Sequence, residues 1–101
     1  MVWWRRAQQQ GDEAARRIVV SGIVQGVGFR AATVRQAQAA GVAGWVRNRR
    51  DGSVEVWVEG DQEAVAELVD WLADGPRHAT VTDRDVTEEQ PQGYSSFDID
   101  R

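Results

Sequence analysis

The sequence predicts an α+β sandwich in which one mostly antiparallel sheet carries two helices on one face, in the order β-α-β-β-α-β. Three observations lead there. A Val- and Ile-rich run ends in closely spaced glycines, and these open a stretch without Gly or Pro, Arg30 to Ala40. Two apolar runs flank Asp51-Gly52, the dipeptide that tight hairpin turns favour. Val65, Leu68, Val69 and Leu72 then recur at i, i+3, i+4 and i+7, the period of an amphipathic helix.

Taken in order, residues 1–15 combine two Trp, two Arg and three consecutive Gln with no sustained period, and are expected to form a flexible extension. Arg16 to Ile23 reads as the first strand, with Gly22, Gly26 and Gly28 punctuating its exit. Arg30 to Ala40 reads as a helix that stops at Gly41, with Phe29, Thr33, Ala37 and Ala40 at near-helical spacing. Ala43 to Arg49 and Ser53 to Glu59 form the hairpin. In its second arm Val54, Val56 and Val58 alternate with Glu55, Trp57 and Glu59. Asp61 is the expected N-cap of the second helix, which ends near Gly75-Pro76. Ala79 to Val86 suits a strand that Asp83, Arg84 and Asp85 weaken or bulge. After a polar stretch, Tyr94 to Ile99 suits a short edge strand. The whole is a ferredoxin-like arrangement of four to five strands over residues 16–101. Because that fold hosts many activities, it does not specify one.

The 101 residues, 42% of them hydrophobic, suffice for one small soluble domain and are too few for a two-domain dehydrogenase or kinase. The absence of cysteine excludes disulfides, thiolate metal sites and cysteine nucleophiles together. All 12 basic residues are Arg, which removes a P-loop lysine and a Schiff-base lysine and leaves anion binding to guanidinium groups. No apolar run is long enough for a membrane span or a signal peptide, so no membrane association is expected and the cytoplasm is the default location. Charge is divided along the chain: residues 1–50 carry a net +7 and residues 51–101 a net −11. An anionic ligand would therefore go to the first half. The acidic total disfavours nucleic acid.

The segment with chemical potential is Ser21 to Arg30, a glycine-rich turn between a strand and a helix N-terminus. Glycines accept positive φ, so successive amides can face one concavity, and the helix start adds unpaired N–H groups. Arg30 in the first turn adds a two-pronged donor suited to phosphate. A purely structural glycine turn is the competing reading. Gly26-Val27-Gly28-Phe29-Arg30-Ala31 also fits a dinucleotide-binding fingerprint. That motif needs a parallel βαβ unit, and the Asp51-Gly52 hairpin makes the next strand antiparallel.

The run Gly22-Ile23-Val24-Gln25-Gly26-Val27-Gly28-Phe29-Arg30, followed by Gly44-Trp45-Val46-Arg47-Asn48 and Asp51-Gly52-Ser53-Val54-Glu55, closely resembles the acylphosphatase family. Gly60, Trp71-Leu72, Gly75-Pro76 and Tyr94 to Ile99 extend the resemblance over residues 16–101. It implies hydrolysis of a small-molecule acyl phosphate to a carboxylate and inorganic phosphate, with no metal and no cofactor. The backbone amides of Gln25, Gly26, Val27, Gly28, Phe29 and Arg30, with the Arg30 guanidinium, would hold the phosphate. Asn48 would orient the attacking water. One departure is that Ala31 and Ala32 follow Arg30 where the family commonly has an aromatic residue, which predicts thinner packing under the first helix.

The implied roles suit the reaction, since a carboxylate leaves readily and phosphoryl transfer then needs mainly positioning and charge stabilisation. No Cys, His, Asp or Glu lies between residues 18 and 50, so direct attack by water is the economical route. Two other accounts are a non-catalytic phosphate-binding module on the same loop, and a detached relative of the corresponding domain of carbamoyltransferases, against which the missing cysteine-rich domains argue. Asn48 could instead cap the hairpin. Arg47, Arg49 and Arg50 are expected to form a solvated positive face, His78 an exposed loop residue, and Trp45, Trp57 and Trp71 packing residues. With no obvious apolar interface stripe, a monomer is the expected state.

Overall fold

A computed structural model describes residues 12–101 of the chain. Strand β1 (Glu13–Ile23) leads through the glycine loop into helix α1 (Phe29–Ala40), then β2 (Ala43–Asn48) and β3 (Val54–Asp61) form the hairpin. Helix α2 (Gln62–Trp71), strand β4 (Thr80–Glu89) and strand β5 (Phe97–Ile99) complete the chain. The sheet order is β4-β1-β3-β2-β5, with only the β2–β5 pair parallel.

Alternation decides which face each strand buries. Ile18 and Val20 of β1, Val46 of β2, and Val54, Val56 and Val58 of β3 are all 0% exposed. The helices cover that face with Phe29, Ala32, Thr33 and Ala37 of α1 and with Val65 and Leu68 of α2. Leu72 closes the helical stripe just past the end of α2, where the expected i, i+3, i+4, i+7 set is buried except for the partly covered Val69. The Asp61 carboxylate caps α2 as expected, accepting from the amides of Glu63 and Ala64.

The opposite face is held by polar pairing. Trp45 and Trp57 stack with ring centroids 6.5 Å apart, and Arg47 lies 4.9 Å from the Trp45 ring centre. Glu55, 6% exposed, is bracketed by Arg47 at 2.8 Å and Arg17 at 3.5 Å. These tryptophans are packing residues, as anticipated.

Three boundaries differ from expectation, one of them simply by shortening: β5 covers only Phe97–Ile99 of the expected Tyr94 to Ile99. The first strand starts at Glu13, so the boundary expected at residue 15 falls inside β1: Glu13, Ala14 and Ala15 pair with Asp61, Gly60 and Glu59. Both alanines are buried. Alanine carries no strand signal of its own, and the neighbouring strand supplies the hydrogen bonds. Asp12, just before the strand, accepts from the Gln62 amide through its carbonyl at 2.8 Å, and residues 1–11 of the expected extension lie outside the described residues. Strand β4 runs on to Glu89, because it is an edge strand on which Asp83, Asp85 and Glu88 stay exposed while Glu89 pairs with Arg17 at 3.3 Å. The irregularity anticipated there is real: the β1 register shifts between Ser21 and Gly22, which leaves Thr82 as the extra residue of β4. Below α1 the Phe29 ring meets Trp71 at a centroid distance of 6.0 Å, a contact that fills space under a helix whose Ala31 and Ala32 reach little.

Candidate active site

The glycine loop leaves β1 after Ile23 and enters α1 at Phe29. Gly26 has φ 77° and Gly28 has φ 79°, whereas among the described residues no residue other than glycine has positive φ. Alternating backbone handedness over consecutive residues is the arrangement that turns neighbouring N–H groups toward one concavity. Among the described residues the amides of Gln25 to Arg30 find no backbone or side-chain acceptor. The first helical bond of α1 begins only at Ala32, whose N–H donates to the Gly28 carbonyl at 3.0 Å.

The loop is tied to the hairpin by one side chain. Gln25 Nε2 donates to the carbonyl oxygens of Arg49 at 2.8 Å and Ser53 at 2.9 Å. This bridge spans the gap between the glycine loop and the β2–β3 turn, and so sets Asn48 beside the start of α1. The turn itself is closed by Asp51, whose carboxylate accepts from the Ser53 amide at 2.9 Å and from its hydroxyl at 2.5 Å. Those two bonds hold the Asp51 carboxyl below the usual aspartate range, so it stays ionised at neutral pH. Asp51 therefore does the capping that Asn48 was a candidate for, and the Asn48 carboxamide makes no hydrogen bond among the described residues.

Arg30 and Asn48 line two adjoining spaces. A small one, about 160 Å³, is bounded by Gly26, Gly28, Arg30, Ala31, Asn48 and Ile99 together with Val24 and Phe29. Next to it an open cleft of about 880 Å³ lies among Arg30, Arg47, Asn48, Arg49, Arg50 and Arg101, with Asp51 and Asp100 beside them. Strand β5 brings the C-terminal residues here, since the Asp100 amide donates to the Val46 carbonyl at 2.9 Å. The structure thus unites Gly26, Gly28, Phe29, Arg30 and Asn48 around one small space. Gln25 contributes its side chain as the tie described above, and Val27 is part-buried against the core. The arginines taken as a solvated face border the same cleft. The hairpin turn was a signal for Arg49 and Arg50, which sit at it, whereas Arg101 is brought to the cleft only by strand β5.

With this geometry in place, the chain can be compared with known proteins. A model of the acylphosphatase family matches residues 16–99. The chain belongs to that family. It is 48% identical over 95 residues to an acylphosphatase from Nocardioides sp., a match covering 93% of this chain and 96% of that protein. The structure of an acylphosphatase from Coxiella burnetii superposes with a TM-score of 0.87 at 33% identity, over 92% of this chain and 98% of that one. The acylphosphatase of Bacillus subtilis gives 0.84 at 40% identity, over 87% and 99%. The fold is therefore that of these acylphosphatases, and the match spans nearly all of both chains.

Proposed function

We propose that this chain is an acylphosphatase whose phosphate site is the glycine loop with Arg30, and whose water-positioning group is Asn48. The observation that carries the assignment is that Arg30 and Asn48 flank the same small space against Gly26 and Gly28. The amides of residues 25–30 have no acceptor of their own there.

In the proposed reaction, the phosphoryl group of R–CO–O–PO₃²⁻ rests against the loop amides and the Arg30 guanidinium. These donors stabilise charge on the equatorial oxygens as the transition state forms. Asn48 offers both a carbonyl acceptor and an N–H donor, and so can hold a water in line with the scissile bond. Water oxygen bonds to phosphorus while the P–O bond to the acyl group breaks, and the electron pair leaves with the carboxylate. One water proton stays on the new hydroxyl. The other passes to a phosphate oxygen, so the products are RCOO⁻ and H₂PO₄⁻. A carboxylate needs no general acid to depart, which suits a site without His or Glu.

Every group the reaction uses comes from one chain, which supports action as a monomer on a small molecule, and the cytoplasm is the proposed place of action. No helix among the described residues is long and apolar enough to cross a membrane.

The test is steady-state hydrolysis of benzoyl phosphate by the wild type and by Arg30→Ala, with a metal chelator present throughout. Turnover that survives chelation and disappears in the variant supports both reaction and site. A folded wild type that binds phosphate and turns over no acyl phosphate would make it a binding module.

A further inference from the structure

We infer that the cleft selects acyl phosphates whose acyl part carries a second anionic group, and that Arg49 and Arg50 are the residues that recognise it. This rests on the phosphate site proposed above and extends it to the other end of the substrate.

The argument begins with what each charge around the cleft is already doing. Arg47 is committed: its guanidinium contacts Glu55 at 2.8 and 2.9 Å and Asp100 at 3.8 Å, and it lies over Trp45. Asp51 is turned onto Ser53. Among the described residues, Arg30, Arg49, Arg50 and Arg101 have no carboxylate within ion-pair distance. Under the proposed mechanism Arg30 serves the phosphoryl group. Arg49, Arg50 and Arg101 then remain unpaired around the rest of the cleft, against Asp51 and against Asp100, whose ion pair is the 3.8 Å contact with Arg47, and this leaves a positive surplus that the leaving end of the substrate must face.

The placement of the two spaces gives that surplus a direction. The small space belongs to the glycine loop and the large one to the arginines, and Arg30 and Asn48 are common to both. A substrate with its phosphoryl group against Gly26 and Gly28 therefore extends its acyl group past Asn48 into the arginine-lined cleft. A plain hydrocarbon there meets exposed guanidinium faces and gains modest stacking. A carboxylate or phosphate gains charge-assisted, two-pronged hydrogen bonds. The backbone of this turn is set independently of the arginine side chains: the Arg49 amide donates to the Ser53 carbonyl at 2.8 Å, and the Arg49 carbonyl accepts from Gln25. Replacing the side chains thus leaves the turn in place.

The experiment compares kcat/KM for benzoyl phosphate and for benzoyl phosphate bearing a carboxylate at the meta or para ring position, in the wild type and in the double variant Arg49→Gln, Arg50→Gln. The carboxylate changes the intrinsic reactivity of the mixed anhydride equally for both proteins, so the quantity read is the ratio of carboxylated to plain substrate. That ratio is expected to fall about tenfold in the double variant, chiefly through KM, for at least one isomer. In the wild type, raising ionic strength should reduce kcat/KM more steeply for that isomer than for benzoyl phosphate. Ratios equal within twofold in both proteins, with benzoyl phosphate still hydrolysed, would overturn the inference and leave the phosphate site standing. A folded wild type that hydrolyses neither substrate would overturn both.

Discussion

Two groups of backbone amides in this chain are arranged for anions, and they have met different fates. Beyond β4, the amides of Gln92, Gly93 and Tyr94 each donate to the Glu59 carboxylate at 2.7 Å, and Trp57 Nε1 adds a fourth bond at 2.9 Å. Between β1 and α1, the amides of Gln25 to Arg30 have no acceptor among the described residues. The first group is satisfied internally and pins the segment that leads to β5. The second lies at the opening of two spaces that Arg30 and Asn48 border. The same backbone device holds the fold together where the chain supplies the anion, and becomes a binding site where the chain does not.

The sharpest way to break this distinction is at Arg30. Arg30→Ala should lower turnover of benzoyl phosphate by about 10³-fold or more, the scale on which phosphoryl-transfer arginines act, without lowering Tm, since Arg30 makes no ion pair among the described residues. Turnover within tenfold of wild type would remove it from the site. Asn48→Ala comes next, with kcat expected to fall about 10²-fold and KM largely kept, as suits a group that positions water. A change confined to KM would instead make Asn48 a substrate-binding residue.

The internally satisfied amides should respond in stability and leave activity intact. Glu59 is 5% exposed. Burial acts to raise its pKa, but the three backbone amides and the indole N–H together outweigh burial and hold it below the ordinary glutamate range. Its contribution is therefore complete above the unfolded-state value of about 4.3 and is lost as pH falls through the lower folded-state value. Glu59→Gln should cost about 2 kcal/mol at neutral pH by denaturant unfolding, and the gap to wild type should narrow as pH falls below about 4. A gap that stays constant down to strongly acid pH would show that the carboxylate charge is not what holds this segment. The smallest effect is expected for Gln25→Ala, which removes the two bonds between the glycine loop and the hairpin. It should cost about 1 kcal/mol by the same measurement and reduce turnover by no more than about tenfold.

The same two regions show what could be read before any coordinates. The open amide group was legible because it is local: glycine spacing, the helix start and Arg30 all lie within a few residues. Asn48 entered through the family resemblance alone, since its place at the end of the hairpin arm by itself suggests a cap of the turn. The Glu59 cluster was not legible, because its three backbone partners lie more than 30 residues away in a polar stretch with no periodic signal. From alternation alone Glu55 and Glu59 pointed outward. They do face away from the helices, yet both are nearly covered, one by arginines and the other by backbone. The start of β1 was hidden for a related reason: Ala14 and Ala15 are too small to mark a strand, and pairing with β3 is what orders them. The arginine cleft needed tertiary structure too, since Arg101 reaches Arg49 and Arg50 only through the parallel pairing of β5 with β2.

The central claim is that the loop amides receive phosphate and the 92–94 amides do not, and titration of the ¹⁵N-labelled protein with inorganic phosphate tests it most directly. The account predicts saturable shifts of the backbone amides of Gly26 to Arg30, with Gln92 to Tyr94 unmoved, and loss of those shifts in Arg30→Ala. Shifts centred on Gln92 to Tyr94, or a loop that stays unperturbed while acyl phosphate is still hydrolysed, would contradict it.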